Sequence, residues 1–159
     1  AFEVIANAPA SAQACVRAAK ALGAGAGSHG MVYGQELDLK YEALAATEDQ
    51  LRLIHRNKTG ALINAAVQMG AAAAEADEET CNALEAYAYG IGLVFQLGKP
   101  IGSDSENGKT TFATLYGVQG AMELAAQLNA KVCTELRGQF GEKAAFLEQL
   151  AQQLLARKN

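Results

Sequence analysis

The chain has 159 residues, half of them hydrophobic and 19% charged, which is enough for one domain with a real core and excludes a disordered chain. The formal net charge is −4 and no basic stripe appears, which argues against a nucleic-acid partner. No apolar run is long enough to span a bilayer, and three widely spaced cysteines, Cys15, Cys81 and Cys133, suggest neither a disulfide framework nor a zinc site. A reducing cytoplasm is the expected compartment. The N-terminal stretch "AFEVIANAPASA" lacks the basic-then-apolar order of a signal peptide.

Taken in order, the segments read as helices throughout. Alanine is abundant and no stretch alternates cleanly at period two. Pro9 suits a first helical turn, and that helix is expected to run to about Leu22, where "GAGAGSHG" breaks it. A short helix follows over "MVYGQELDL". Thr47 and Gln50 form a T-x-x-Q capping box that opens "EDQLRLIHRNK". That helix continues, with a kink near Gly60, through "ALINAAVQMGAAAA". The acidic run Glu75, Asp77, Glu78 and Glu79 could bind a cation, but it suits a helix N-terminus, where carboxylates complement the dipole. Leu84, Tyr87, Ile91 and Phe95 then repeat at spacings of three and four, the mark of one buried face. Further on, Met122, Ala125, Val132 and Leu136 define another helix, and Phe146, Leu147, Leu150 and Leu154 a terminal one. There is no internal repeat and no long linker, so the expected fold is all-α, an antiparallel helical bundle forming a single domain over residues 1–159.

Between the segment of Leu84 to Phe95 and that of Met122 to Leu136 lies "GKPIGSDSENGKTTFATLYG". It places Lys99 and Lys109 in one polar, glycine-rich loop. The G-K-T at its end resembles a P-loop terminus, but the first glycine of that motif would fall at Ser103 and no strand precedes it, so a nucleotide P-loop is excluded. His29 and His55 have no Cys or His at metal-ligand spacing. Two lysines in a loop are by themselves usually just solvated.

The combination of segments carries more than each alone. "IHRNKTGALINAA" places Lys58 and Thr59 just before a glycine, "FQ" puts an amide, Gln96, at the end of a buried face, and "GMVYGQELDL" sets Gln35 and Asp38 three apart on one side of a helical turn. With the lysine loop, these segments resemble, in order and local wording, the trans-type polyprenyl diphosphate synthases, the farnesyl and geranylgeranyl diphosphate synthase family in its bacterial short-chain form. "HRNKTGAL" and "GSDSENGKTTF" are the most specific parts, and the resemblance covers nearly the whole chain.

The resemblance implies helices around a deep central cavity. It implies a prenyltransferase that joins an allylic diphosphate to isopentenyl diphosphate and releases pyrophosphate, with Mg²⁺ as cofactor and a homodimer as the assembly. By similarity, Lys58 contacts the allylic diphosphate, and Lys99 and Lys109 close on it from the loop. Thr59 and Gln96 sit near the reacting allyl group, Gln35, Asp38 and Phe95 line the cavity, and Asp104 lies where the family carries an acid near a metal. The chain departs from the family pattern as well. Both aspartate-rich motifs are missing, as are the helices before the first of them. The second motif belongs directly after "FQ", so a Cα separation wider than the bonded value of about 3.8 Å is expected between Leu97 and Gly98. The alternatives are a non-catalytic homologue that serves as a binding or regulatory subunit, or a structural helical interaction protein.

Overall fold

A computed structural model describes residues 1–42, 44–98 and 110–156. Every regular element among them is helical. They are α1 (Phe2–Ala6), α2 (Ala12–Ala26), α3 (Met31–Glu42), α4 (Glu48–His55), a π-turn (Arg56–Gly60), α5 (Ala61–Ala73), α6 (Glu78–Leu97), α7 (Phe112–Phe140), a 3₁₀ turn (Gly141–Ala144) and α8 (Ala145–Ala156).

Local chemistry sets the helix starts. The Ser11 side chain accepts from the Ala14 N–H and caps α2, so Pro9 lies before the helix and not in its first turn. The expected end at Leu22 is also displaced, to Ala26. Gly25 stays helical because it faces α5 at very short range. A Cβ there would lie 2.6 Å from both the Ala61 carbonyl oxygen and the Ala65 methyl. The Thr47–Gln50 capping box forms as its spacing predicts, with the Thr47 N–H donating to Gln50 Oε1 at 2.9 Å and the Gln50 N–H to Thr47 Oγ1 at 3.3 Å. The acidic run supplies Asp77 as the cap of α6, accepting from the Thr80 N–H at 2.8 Å, with Glu78 and Glu79 in the first turn. Helix α1 has no counterpart in the sequence reading.

The order of contacts along each helix pair gives an antiparallel arrangement. Gly25 meets Ala61 and Ala65 while Ala18 clusters with Ala72, so α2 runs against α5. Gln68 Nε2 on α5 donates to the Cys81 carbonyl at the start of α6. Tyr87 and Ile91 of α6 cluster with Val132 and Leu136, and Leu97 with Ala121 and Ala125, so α6 runs against α7. Phe112, Leu97 and Val94 are the largest fully buried side chains. Each such side chain removed from water contributes about 1.5–3 kcal/mol. Two expected core positions are not in the core: Met122 is 56% and Phe146 73% exposed. Their spacing fits an apolar stripe, but the core-facing positions are filled by Ala121, Ala125, Val132 and Leu136 on α7 and by Leu147, Ala151 and Leu154 on α8.

Two polar contacts fasten α8. The Tyr87 hydroxyl donates to the Leu147 carbonyl at 2.7 Å, and burial pushes its pKa up to about 12. Arg137 Nε donates to Glu148 Oε1 at 2.7 Å and its Nη2 to the second carboxylate oxygen. These hydrogen bonds hold the Glu148 carboxyl below the usual carboxylate range. A lowered folded-state pKa stabilises the fold above the unfolded value of about 4.3, and that stabilisation is lost as pH falls through the folded value. Glu148→Gln should therefore melt below the wild type at neutral pH, and the gap should narrow on acidification below about pH 4. Melting curves over that range test the pair; a gap independent of pH would show that Glu148 does not titrate with folding.

Candidate diphosphate site on the π-turn

The centre of the site is the junction between α4 and α5. The sequence "RNKTG" widens the helix by one π-turn, Arg56–Gly60, where a kink near Gly60 was expected. Such single π-turns interrupt the regular ladder and re-aim side chains. Asn57 Nδ2 donates to the Leu53 carbonyl at 2.8 Å, giving that carbonyl a partner within the widened turn.

Two helices fix the turn from either side. Helix α3 lies on its backbone through Gly34. A Cβ at that position would stand 2.1 Å from the Lys58 nitrogen and 2.5 Å from its Cα, so only glycine permits this approach. Helix α6 covers the other side. The Arg56 guanidinium sits 3.9 Å over the Tyr89 ring, a cation–π contact that the sequence did not signal.

These two helices deliver the partners of Lys58 and Thr59. Asp38 of α3 is 7% exposed, and its Oδ2 accepts from Lys58 Nζ at 2.6 Å. The Lys58 side chain is 36% exposed, against 10% for that of Asp38. Gln96 of α6 is 8% exposed, and its Nε2 donates to Thr59 Oγ1. That arrangement leaves the amide oxygen of Gln96 as an acceptor dipole. Thus Asp38, Lys58, Thr59 and Gln96 come together, from three elements. Gln35 lies one turn before Asp38 on α3, half-buried, and Phe95 lies beside Gln96 on α6, also half-buried. Lys99, Asp104 and Lys109 lie outside the described residues.

Helix α6 runs to Leu97, and Gly98 caps it, its N–H donating to the Val94 carbonyl at 3.0 Å. Among the described residues, no three His, Cys, Asp or Glu side chains gather to hold a metal ion. Asp38 is one carboxylate tied to an ammonium, so the described residues do not fit a protein-held magnesium. A groove of about 630 Å³ lies elsewhere, lined by Arg17, Lys20, Gln68 and Cys81 among others.

A cluster at the start of α7 was not foreseen. Phe112 stands 5.4 Å from the His55 ring, with the Arg52 guanidinium 5.6 Å over it and Tyr116 stacked at 6.3 Å. Glu48, hydrogen-bonded to Tyr116 and Arg52, has its carboxyl pKa lowered by them. The Ala46 N–H donates to Thr110 Oγ1 at 3.2 Å. Only the T-x-x-T spacing of Thr111 and Thr114, a second capping box, could have marked this helix start in the sequence.

The family model described as polyprenyl synthetase matches residues 1–152. The chain belongs to the polyprenyl synthetase family. Among curated members, it is 34% identical to a farnesyl diphosphate synthase of Haemophilus influenzae, over all of this chain and 59% of that protein. Among solved structures, a geranyltransferase of Legionella pneumophila superposes with a TM-score of 0.83 at 40% identity, covering 98% of this chain and 55% of that one. A geranyltransferase of Helicobacter pylori, complexed with magnesium and isoprenyl diphosphate, gives 0.81 at 30% identity, again with 98% and 55% covered. The chain therefore spans less than two thirds of the length of these family members. Their all-helical fold is the fold described above.

Gly34 provides the test of the clamp. Alanine is favoured over glycine in a helix by about 1 kcal/mol. Here the added methyl meets backbone rather than a movable side chain. Gly34→Ala should destabilise the protein by about 1–3 kcal/mol in denaturant titrations. A variant as stable as the wild type would show that α3 does not bear on the π-turn.

Proposed function

We propose that this chain is the part of a polyprenyl diphosphate synthase that binds the allylic diphosphate and faces the developing cation. The whole protein would condense an allylic diphosphate with isopentenyl diphosphate, in the farnesyl or geranylgeranyl range, as a homodimer in the cytoplasm. The convergence of Lys58, Thr59 and Gln96 at one widened turn supports this reading most directly. Free cysteines suit a reducing compartment, and no described helix is long and apolar enough to cross a membrane.

The chemistry follows from the charges. Breaking the C–O bond of an allylic diphosphate leaves negative charge on phosphate oxygens and positive charge on the allyl carbons. Lysine answers the first, as a point charge on a long stem that can follow a phosphate. The partial exposure of the Lys58 side chain, 36%, supports a role in receiving an anion. Oxygen dipoles answer the second. Thr59 Oγ1 accepts from the Gln96 amide, which supports a place for both dipoles beside the allyl group. Lys99 and Lys109 belong to the proposal through their loop sequence alone, as further diphosphate contacts. Magnesium and Asp104 enter only by the family pattern, and no step is drawn through the metal.

A second reading comes from the sequence, which carries neither of the family's aspartate-rich motifs. On that reading, the protein binds diphosphates without turning them over and acts beside an active synthase.

Titration with an allylic diphosphate, with turnover measured in parallel on the whole protein, separates these readings. Lys58→Ala should weaken binding and slow turnover together. Lys109→Ala should lower turnover more than binding, by roughly 2–4 kcal/mol, if that lysine acts mainly on the transition state. Binding without turnover in the wild type would select the second reading. Binding indifferent to Lys58 would remove the site from both.

A further inference from the structure

The π-turn holds one residue more than the α-turn it replaces. That surplus residue could be stored anywhere along the continuous helical run from Glu48 to Ala73. Moving it past a residue would rotate that residue by about 100° around the helix axis. The place of the turn therefore decides where Lys58 and Thr59 point, and something must hold it at Arg56–Gly60.

Tyr89 of α6 meets both ends of the turn. The Arg56 guanidinium lies 3.9 Å from the centre of its ring. At the other end, a Cβ on Gly60 would stand 2.8 Å from Tyr89 Cδ1 and 3.3 Å from Cε1. The ring thus fills the space that a side chain at position 60 would take. Gly60 is flanked by Thr59 and Ala61, and both carry a Cβ. A slip of one residue in either direction would drive that carbon against the ring.

We propose that Tyr89 is a positioning residue: its ring locks the register of the π-turn, through Gly60 at one end and Arg56 at the other, and so aims Thr59 at Gln96. The consequence for catalysis rests on the reading of Thr59 as a dipole beside the allyl group; the lock itself does not. Thr59 and Lys58 are held from different sides. Thr59 Oγ1 accepts from Gln96 of α6, the helix that carries Tyr89, whereas Lys58 pairs with Asp38 of α3. Loss of the ring should therefore free Thr59 more than Lys58. It should weigh on the step in which charge develops on the allyl group, and less on the grip on the diphosphate.

Two measurements test the lock, and the first needs no turnover. Thr59→Val removes the acceptor of the Gln96 amide and should lower the denaturant midpoint of the wild type. In a Tyr89→Leu background the hydroxyl is no longer aimed, so most of that shift should be lost. Tyr89→Phe keeps the ring and should restore it. A ring that only filled space would give two additive shifts. The second measurement is turnover by the whole protein. Tyr89→Leu should lower kcat roughly tenfold to a hundredfold, with KM for the allylic diphosphate little changed, and Tyr89→Phe should recover it. Arg56→Gln, at an exposed position, should move both readouts the same way by less, and it replaces Tyr89→Leu if that variant does not fold.

Additive shifts, or no shift from Thr59→Val in the wild type, overturn the lock whatever the turnover. Coupled shifts with kcat indifferent to Tyr89→Leu support the lock and overturn the role of Thr59 beside the allyl group. Coupled shifts in a wild type without turnover support the lock within the non-catalytic reading.

Discussion

The approach of α3 to the backbone of Lys58 is the contact on which the site depends. Helices that pack through side chains stand 8–10 Å apart, and a lysine between them would point wherever solvent allows. At Gly34 the missing side chain brings two backbones into direct contact. That closeness lets a short aspartate on α3 reach an ammonium on the next element. It also fixes the height at which the π-turn presents Thr59 to Gln96 of α6. The polar geometry of the site thus follows from an apolar fact, the absence of one methyl group.

Much of the fold was legible because its signals are local. The T-x-x-Q of Thr47 and Gln50, the acidic start of α6 and the spacing of Tyr87 and Ile91 each depend on residues within a turn or two of one another. The errors came where a distant surface decides. "GAGAG" reads as a break, yet Gly23 to Ala26 remain helical, because α5 receives Gly25 without a Cβ in the way. Met122 and Phe146 have the spacing of core residues, but the core-facing positions are taken by Ala121 and Ala125 on α7 and by Leu147, Ala151 and Leu154 on α8. An apolar residue in a sequence shows that it can be buried, not that a partner covers it.

The candidate site divides the same way. Lys58, Thr59 and Gln96 stood out in sequence through the wording around them, and so did Asp38. Their pairing did not. Asp38 and Lys58 are 20 positions apart, and Thr59 and Gln96 are 37 apart. No periodicity links such distances. The Arg56–Tyr89 stack and the cluster around Phe112 were invisible for that reason, since each joins side chains from separate helices.

Helix α7 is interrupted near its start. Gly117, at φ +73° and ψ 163°, breaks the helical backbone between Tyr116 and Val118. The short piece before it, residues 112–116, is attached through Phe112 and Tyr116 to Arg52, His55 and Glu48 of α4. Mechanically, this piece answers to two neighbours: to α4 through Arg52, His55 and Glu48, and through Phe112 to the core of Leu97, Ala121 and Ala125. A displacement of the piece would therefore also be felt along α4, whose last residue, His55, is three positions from Lys58.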